Sequence, residues 1–162
     1  MAYTVEFVSY SDAPGLSQTM MRAMNQDPHY NLLLGGGTTE ELVANTGLRL
    51  PYNLSNNRGL LRHEKVVHTA TGDVVGYARW ELPETETHSF ESAWLDAQMP
   101  AATEEQQQSF KENNDSTQID GKQKNFNYEM GAYIGPGLGK PYNELVKDGG
   151  PYLGRSTPLL PA

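Results

Sequence analysis

The side chains best suited to chemistry in this chain are four histidines, at positions 29, 63, 68 and 88. Imidazoles ligate metals or move protons near neutral pH. His63 and His68 are five residues apart, which on a regular strand puts them on opposite faces, so they cannot hold one ion. No histidine pair has helical metal-site spacing, and surface or cleft histidines are the expectation. With no cysteine in the chain, disulfides, thiolate metal sites and a cysteine nucleophile are excluded. No Gly-x-Ser-x-Gly elbow supports a serine hydrolase of that class. Gly135-Pro136-Gly137-Leu138-Gly139-Lys140 invites comparison with a phosphate-binding loop. A P-loop needs glycine where Ile134 stands and a hydroxyl residue where Pro141 stands, so neither the amide cradle nor the Mg²⁺ ligand is present. Gly35-Gly36-Gly37 precedes a helix start, but Glu40 and Glu41 in its first turn would repel an anion, and a plain connection is expected.

These residues are carried by elements that the pattern outlines. Tyr3, Val5 and Phe7 alternate with Thr4 and Glu6, the period of a strand with one buried face. Ser11 or Asp12 caps a following helix with Pro14 in its first turn. That helix places Leu16, Met20, Met21 and Met24 toward a core, and Asp27-Pro28 ends it. Thr38 and Glu41 form a capping box for a second helix, expected to stop near Leu50 before Pro51. Runs from about Leu60 to Thr69 and from Asp73 to Leu82 read as a β-hairpin. In its second strand Val74, Gly76, Ala78, Trp80 and Leu82 share an apolar face, and Val75, Tyr77, Arg79 and Glu81 a mixed one. Helices are expected to back one face and a cleft to open on the other. Further on, Phe90, Trp94 and Gln98 allow a short helix before Pro100. Thr103 with Gln106 caps another over Glu104 to Glu112, in a stretch polar enough to be a mobile loop or frayed helix.

The fold class expected is α+β, with a mixed or antiparallel sheet, two N-terminal helices and an irregular tail. Residues 1–83 form the core unit, 84–127 an acidic polar insertion, and 128–162 a Gly/Pro-rich tail. From Gly131 to Ala162, 12 of 32 residues are glycine or proline, too many for a long helix or central strand. The formal net charge is −8. Nucleic acid is therefore not an expected partner, because phosphate binding draws on Lys and Arg. Residues 83–120 hold 9 acids and 1 base, which reads as solvated chain. No apolar run approaches the ~20 residues of a membrane span. The N-terminus has neither a basic leader nor an apolar signal region, so a soluble, cytoplasmic protein without membrane partners is expected.

The order strand, Pro-started helix with an Asp-Pro exit, second helix and hairpin, then Val74-Val75-Gly76-Tyr77-Ala78-Arg79-Trp80-Glu81-Leu82-Pro83, resembles the front half of the Gcn5-related N-acetyltransferases, fungal members especially. The likeness covers roughly residues 3–83. It implies acyl transfer from acetyl-CoA to a small-molecule amine. It implies Glu81 as a base for the ammonium proton, directly or through water. It also implies that Asp27, His29 and Tyr30 of the loop after the first helix, with Trp80, line the acceptor pocket. In that family the next strand leads into an Arg/Gln-x-x-Gly-x-Gly/Ala turn gripping the cofactor pyrophosphate. Here Ala132 and Ile134 stand where its Arg or Gln belongs, so catalysis is expected to be impaired in a shortened relative. No metal is implied. A small-molecule substrate or a completing protein chain is the partner implied. The alternative is a non-catalytic binding or dimerising module whose open sheet edge pairs with another protein or forms a homodimer.

Overall fold

The computed structural model describes residues 2–81, 95–135 and 154–155. His88, the expected helix around Phe90 and Trp94, and the chain from Pro136 to Leu153 and beyond Arg155 lie outside the described residues.

The described part is α+β. Strand β1 (Tyr3–Phe7) leads through a 3₁₀ turn at Tyr10–Asp12 into helix α1 (Ala13–Met24), a four-residue α2 (Pro28–Asn31) and α3 (Thr39–Ser55). The hairpin is β2 (Leu61–His68) and β3 (Val74–Glu81). After a 3₁₀ turn at Leu95–Ala97 come α4 (Glu104–Ser116), the small ribbon β4 (Gln118–Ile119) and β5 (Lys122–Gln123), a helix α5 over 128–135, and β6 (Gly154–Arg155). The main sheet has the order β1-β2-β3-β6 and is antiparallel throughout.

Local chemistry accounts for most helix ends. Thr38 and Glu41 close their capping box, with Thr38 N donating to Glu41 Oε2 at 2.8 Å and Glu41 N to Thr38 Oγ1 at 3.2 Å. Thr103 and Gln106 repeat the device for α4. Asp12 stands at the N-cap of α1, yet its carboxylate turns back to the Ser9 amide at 2.7 Å and to Lys65 Nζ at 2.7 Å. α1 stops at Met24, and Asp27 instead caps α2 by accepting from His29 N at 2.8 Å. α3 does not stop before Pro51: it continues to Ser55 with the proline inside. An interior proline costs ~3 kcal/mol, but Leu50 and Leu54 on either side of it are both buried, and each contributes about 1.5–3 kcal/mol. Core packing therefore carries the helix through its weak point.

That core joins Val8, Ala13, Leu16, Leu50, Leu54 and Met99, with Tyr10, Met20, Val74 and Tyr77 packed against it. Met99 comes from the segment whose charge marks it as solvated. The segment is tied down by Tyr10 Oη donating to Pro100 O at 2.8 Å, Arg58 Nε to Met99 O at 2.6 Å and Gln98 Nε2 to Arg58 O at 2.8 Å. α4 is a continuous helix that runs past Glu112 to Ser116 and packs on α3, not a frayed loop. The chain beyond it returns to the helices through Gly35 N to Asn125 O at 3.0 Å and Asn127 N to Leu33 O at 2.8 Å.

The sheet corrects the expected faces. Val66 pairs with Gly76 but Val67 with Val74, so Val75 has no partner and forms a bulge. The bulge shifts Val74 onto the side of Tyr77, and it is this mixed side, not the apolar one, that meets α1. Thr19 Oγ1 of α1 donates to the Val74 carbonyl, and Lys65, opposite Tyr77, reaches Asp12. The apolar set is on the other face: Tyr3, Val5 and Phe7 of β1, Val66 of β2, and Gly76, Ala78 and Trp80 of β3. The expected burial of one β1 face does not occur, since Tyr3, Val5 and Phe7 are 57%, 67% and 47% exposed.

Candidate functional site

On the helix-backed face, the hairpin brings together a group that sequence reading did not single out. His63 and Tyr77 are diagonal neighbours across β2 and β3, with Nδ1 and the phenol oxygen 2.8 Å apart. His63 is 2% exposed, and burial lowers its pKa to about 4, helped by the Arg79 and Arg62 charges. Burial raises the Tyr77 phenol to about 12, against the opposing effect of Arg79. Both groups are neutral at physiological pH and make one hydrogen bond to each other. Such a pair has a structural role, since neither proton is poised for transfer near neutrality. Beside it, Arg62 is fully buried, and its Nη1 donates to the carbonyls of Arg58, Gly59 and Leu61, fixing the turn that feeds β2. His68 stands on the opposite face, its ring tilted 54° against that of Tyr3, so His63 and His68 are separated as their spacing requires.

The residues implied by the resemblance fall into two groups. Asp27 and His29 are exposed at the α1–α2 junction, and the amide of His29, foremost, lowers the Asp27 pKa. Tyr30 is half-buried nearby; burial raises its pKa while Arg49 of α3 opposes the rise. Trp80 and Glu81 stand at the far end of β3, where Trp80 Nε1 donates to Glu64 Oε2 at 2.9 Å and Glu81 is exposed opposite Leu61. α1 runs antiparallel to β3, as the Asp12–Lys65 and Thr19–Val74 contacts fix. The α1–α2 junction therefore leaves at the Val74 end of the strand. By element rise it lies on the order of 30 Å from Glu81. Glu81 and the loop Asp27, His29 and Tyr30 thus stand toward opposite ends of the α1–β3 layer. Trp80 and Glu81 also lie on opposite faces of β3.

Among the described residues no group of three or more His, Asp and Glu is placed to hold a metal ion, and no helix is long and apolar enough to cross a membrane. Of the residues compared with the pyrophosphate turn, Gly137, Leu138 and Gly139 lie outside the described residues. Ala132 and Ile134 lie within α5, where backbone amides bond back along the helix and do not converge on an anion.

The feature with the clearest binding chemistry is the edge of the sheet. Among the described residues β1 has β2 on one side only, and all five of its residues are exposed. Its hydrogen-bonding phase is fixed at both ends: Thr69 N donates to Ala2 O at 2.9 Å, and Val8 N to His63 O at 3.4 Å. In an antiparallel ladder alternate residues bond the neighbour, so Thr4 and Glu6 turn their N–H and C=O groups to β2. Tyr3, Val5 and Phe7 turn theirs outward. The residues with outward backbone groups are thus the ones with exposed apolar side chains. On the other face Thr4 Oγ1 donates to Glu6 Oε1 at 2.9 Å, and Lys65 Nζ is 3.7 Å from Glu6 Oε2.

Compared with protein-family models, curated protein sequences and solved structures, the chain matches none.

Proposed function

We propose that this chain is a non-catalytic protein-interaction module that binds by strand addition along β1, on a sheet of the acetyltransferase type. The observation that carries this is the edge itself: outward N–H and C=O groups and exposed apolar side chains coincide at Tyr3, Val5 and Phe7. Such an edge offers main-chain hydrogen bonds for affinity and alternate side-chain positions for specificity. β1 has no lysine, no proline and no bulge, and its one charged residue, Glu6, points to the face opposite its apolar side chains. The fitting occupant is an extended segment with apolar residues at every second position. In an NMR titration with extended peptides of that pattern, the Tyr3, Val5 and Phe7 amides shift while Thr4 and Glu6 keep their protection. No response from any such peptide overturns the reading.

A second reading, acyl transfer from acetyl-CoA to a small-molecule amine, is favoured by the pairing of β6. Gly154 and Arg155 lie antiparallel beside Glu81 and Trp80, where the resemblance requires the next strand of the sheet. In that reading Glu81 is the base, and the separate α1–α2 loop with Asp27, His29 and Tyr30 contacts the acceptor only from a distance. Titration with acetyl-CoA, followed by heat and by melting temperature, decides between the two, because a ligand of the folded state raises its stability by mass action. A micromolar response favours acyl transfer; none at millimolar cofactor favours the module.

A further inference from the structure

The edge strand also specifies its own complement. We infer that β1 pairs with β1 of a second copy, antiparallel about a two-fold axis through Val5, so that two sheets join into one. This rests on the reading of β1 as a docking strand and adds the occupant and the register.

A two-fold interface requires that if residue i faces residue j, then j faces i. About Val5, Tyr3 faces the partner's Phe7, Val5 faces the partner's Val5, and Thr4 faces the partner's Glu6. The backbone phase agrees. Tyr3, Val5 and Phe7 point their N–H and C=O groups outward, and in this register each meets a residue whose groups also point outward. Every facing pair of those residues therefore exchanges both hydrogen bonds.

Side chains select this register over its neighbours. Moving the axis to Glu6 keeps the backbone phase but sets two carboxylates directly opposite, which is unfavourable. Moving it to Thr4 leaves Phe7 beyond the paired strand. Only about Val5 do all three apolar residues find apolar partners. There each Glu6 meets a threonine hydroxyl, the group that already donates to Glu6 within one chain. Each Glu6 also keeps Lys65 of its own chain nearby. The exposed side chains of Tyr3, Val5 and Phe7 then continue into those of the second copy on one face, with an aromatic cross-strand pair at each end.

The test is sedimentation velocity on the full chain from micromolar to millimolar concentration, with three variants. Wild type is expected to show a concentration-dependent dimer. Val5→Pro is expected to be monomeric with its fold intact by circular dichroism, because the Val5 N–H points away from β2 and proline is tolerated on an edge. Val5→Lys and Val5→Glu are each expected to associate about tenfold or more weakly than wild type through like-charge contact. An equimolar mixture of these two is expected to dimerise again, since only a Val5-to-Val5 contact pairs lysine with glutamate. The mixture keeps the test decisive should the proline variant fail to fold. A wild type that stays monomeric, a dimer that survives Val5→Pro, or a mixture that stays monomeric overturns the inference. If the outward amides still shift with an extended peptide in any of those cases, strand addition stands and only self-pairing is lost. If they do not, both are lost.

Discussion

Nδ1 of His63 and the phenol oxygen of Tyr77 lie 2.8 Å apart on paired strands, with their rings 9° from parallel. The contact joins the two strands of the hairpin on the face that meets α1, with Arg79 directly opposite His63. Burial holds both groups neutral.

Stability is expected to fall on acidification because of His63. Its pKa is 6.5 in the unfolded chain and about 4 in the folded one. Between those values the unfolded state takes up a proton that the folded state refuses, so stability drops as pH falls and levels off below about 4. The loss is roughly 3 kcal/mol. Asp12 adds a loss at lower pH: burial raises its pKa, but the hydrogen bonds from Lys65 and Ser9 outweigh this and lower it, so that contribution disappears as pH falls through the folded value. Urea unfolding at steps across this range checks the slope, and His63→Phe should flatten its upper part. An unchanged slope in that variant would reject the assignment.

Met99→Ala should destabilise the protein by ~2–5 kcal/mol, as a large-to-small change in a closed core. Tyr133→Ala, at a largely exposed position, should stay within about 0.5 kcal/mol. Cutting the chain after Pro83 removes Met99 with the ties to Tyr10 and Arg58, and should unfold it. A fragment that still melts cooperatively would show that the later segment is dispensable.

Gly72→Ala should cost about 1 kcal/mol, through backbone conformation alone. Gly72 closes the hairpin turn at φ 75°, and an added Cβ would meet nothing within 4 Å. Gly59 has the same open surroundings without the positive φ, so Gly59→Ala should be neutral or slightly stabilising. Thermal melts of the two variants side by side separate the conformational cost from any steric one.

Asp12→Ala should cost about 1–3 kcal/mol, because it removes an acceptor shared by Lys65 and the Ser9 amide at a poorly exposed position. Glu6→Ala, whose carboxylate is 3.7 Å from the same lysine and half exposed, should cost much less. Equal effects in chemical denaturation would refute this ranking.

Local devices were legible in the sequence and long-range ones were not. Thr38 with Glu41 and Thr103 with Gln106 mark their helix starts because each cap closes within four residues. The hairpin was legible for the same reason, its turn being short and glycine-bearing. Pro51 misleads because the burial that carries α3 past it depends on residues far away in sequence, Leu16 and Met99 among them. The face of β3 misleads because strict alternation assumes regular pairing, and the bulge at Val75 exists only in relation to β2. The residues implied by the resemblance are near in sequence order to the expected elements, but the opposite directions of α1 and β3 set them apart. The signal for the edge was present in Tyr3-Thr4-Val5-Glu6-Phe7. Its alternation gives the spacing of the apolar residues but not whether another layer covers them.

The unpaired residue at Val75 means that β3 carries one residue more than its ladder with β2 uses. Deleting Val75 would leave Val74 next to Gly76, still opposite Val67 and still on the side of Tyr77, with its contacts to Gly15 and Thr19 kept. The harmful change is the opposite one, regular pairing with Val75 retained, which sets Val75 opposite Val67 and turns Val74 away from the core. Loss of this single codon should therefore be absorbed, as substitutions at position 75 should be.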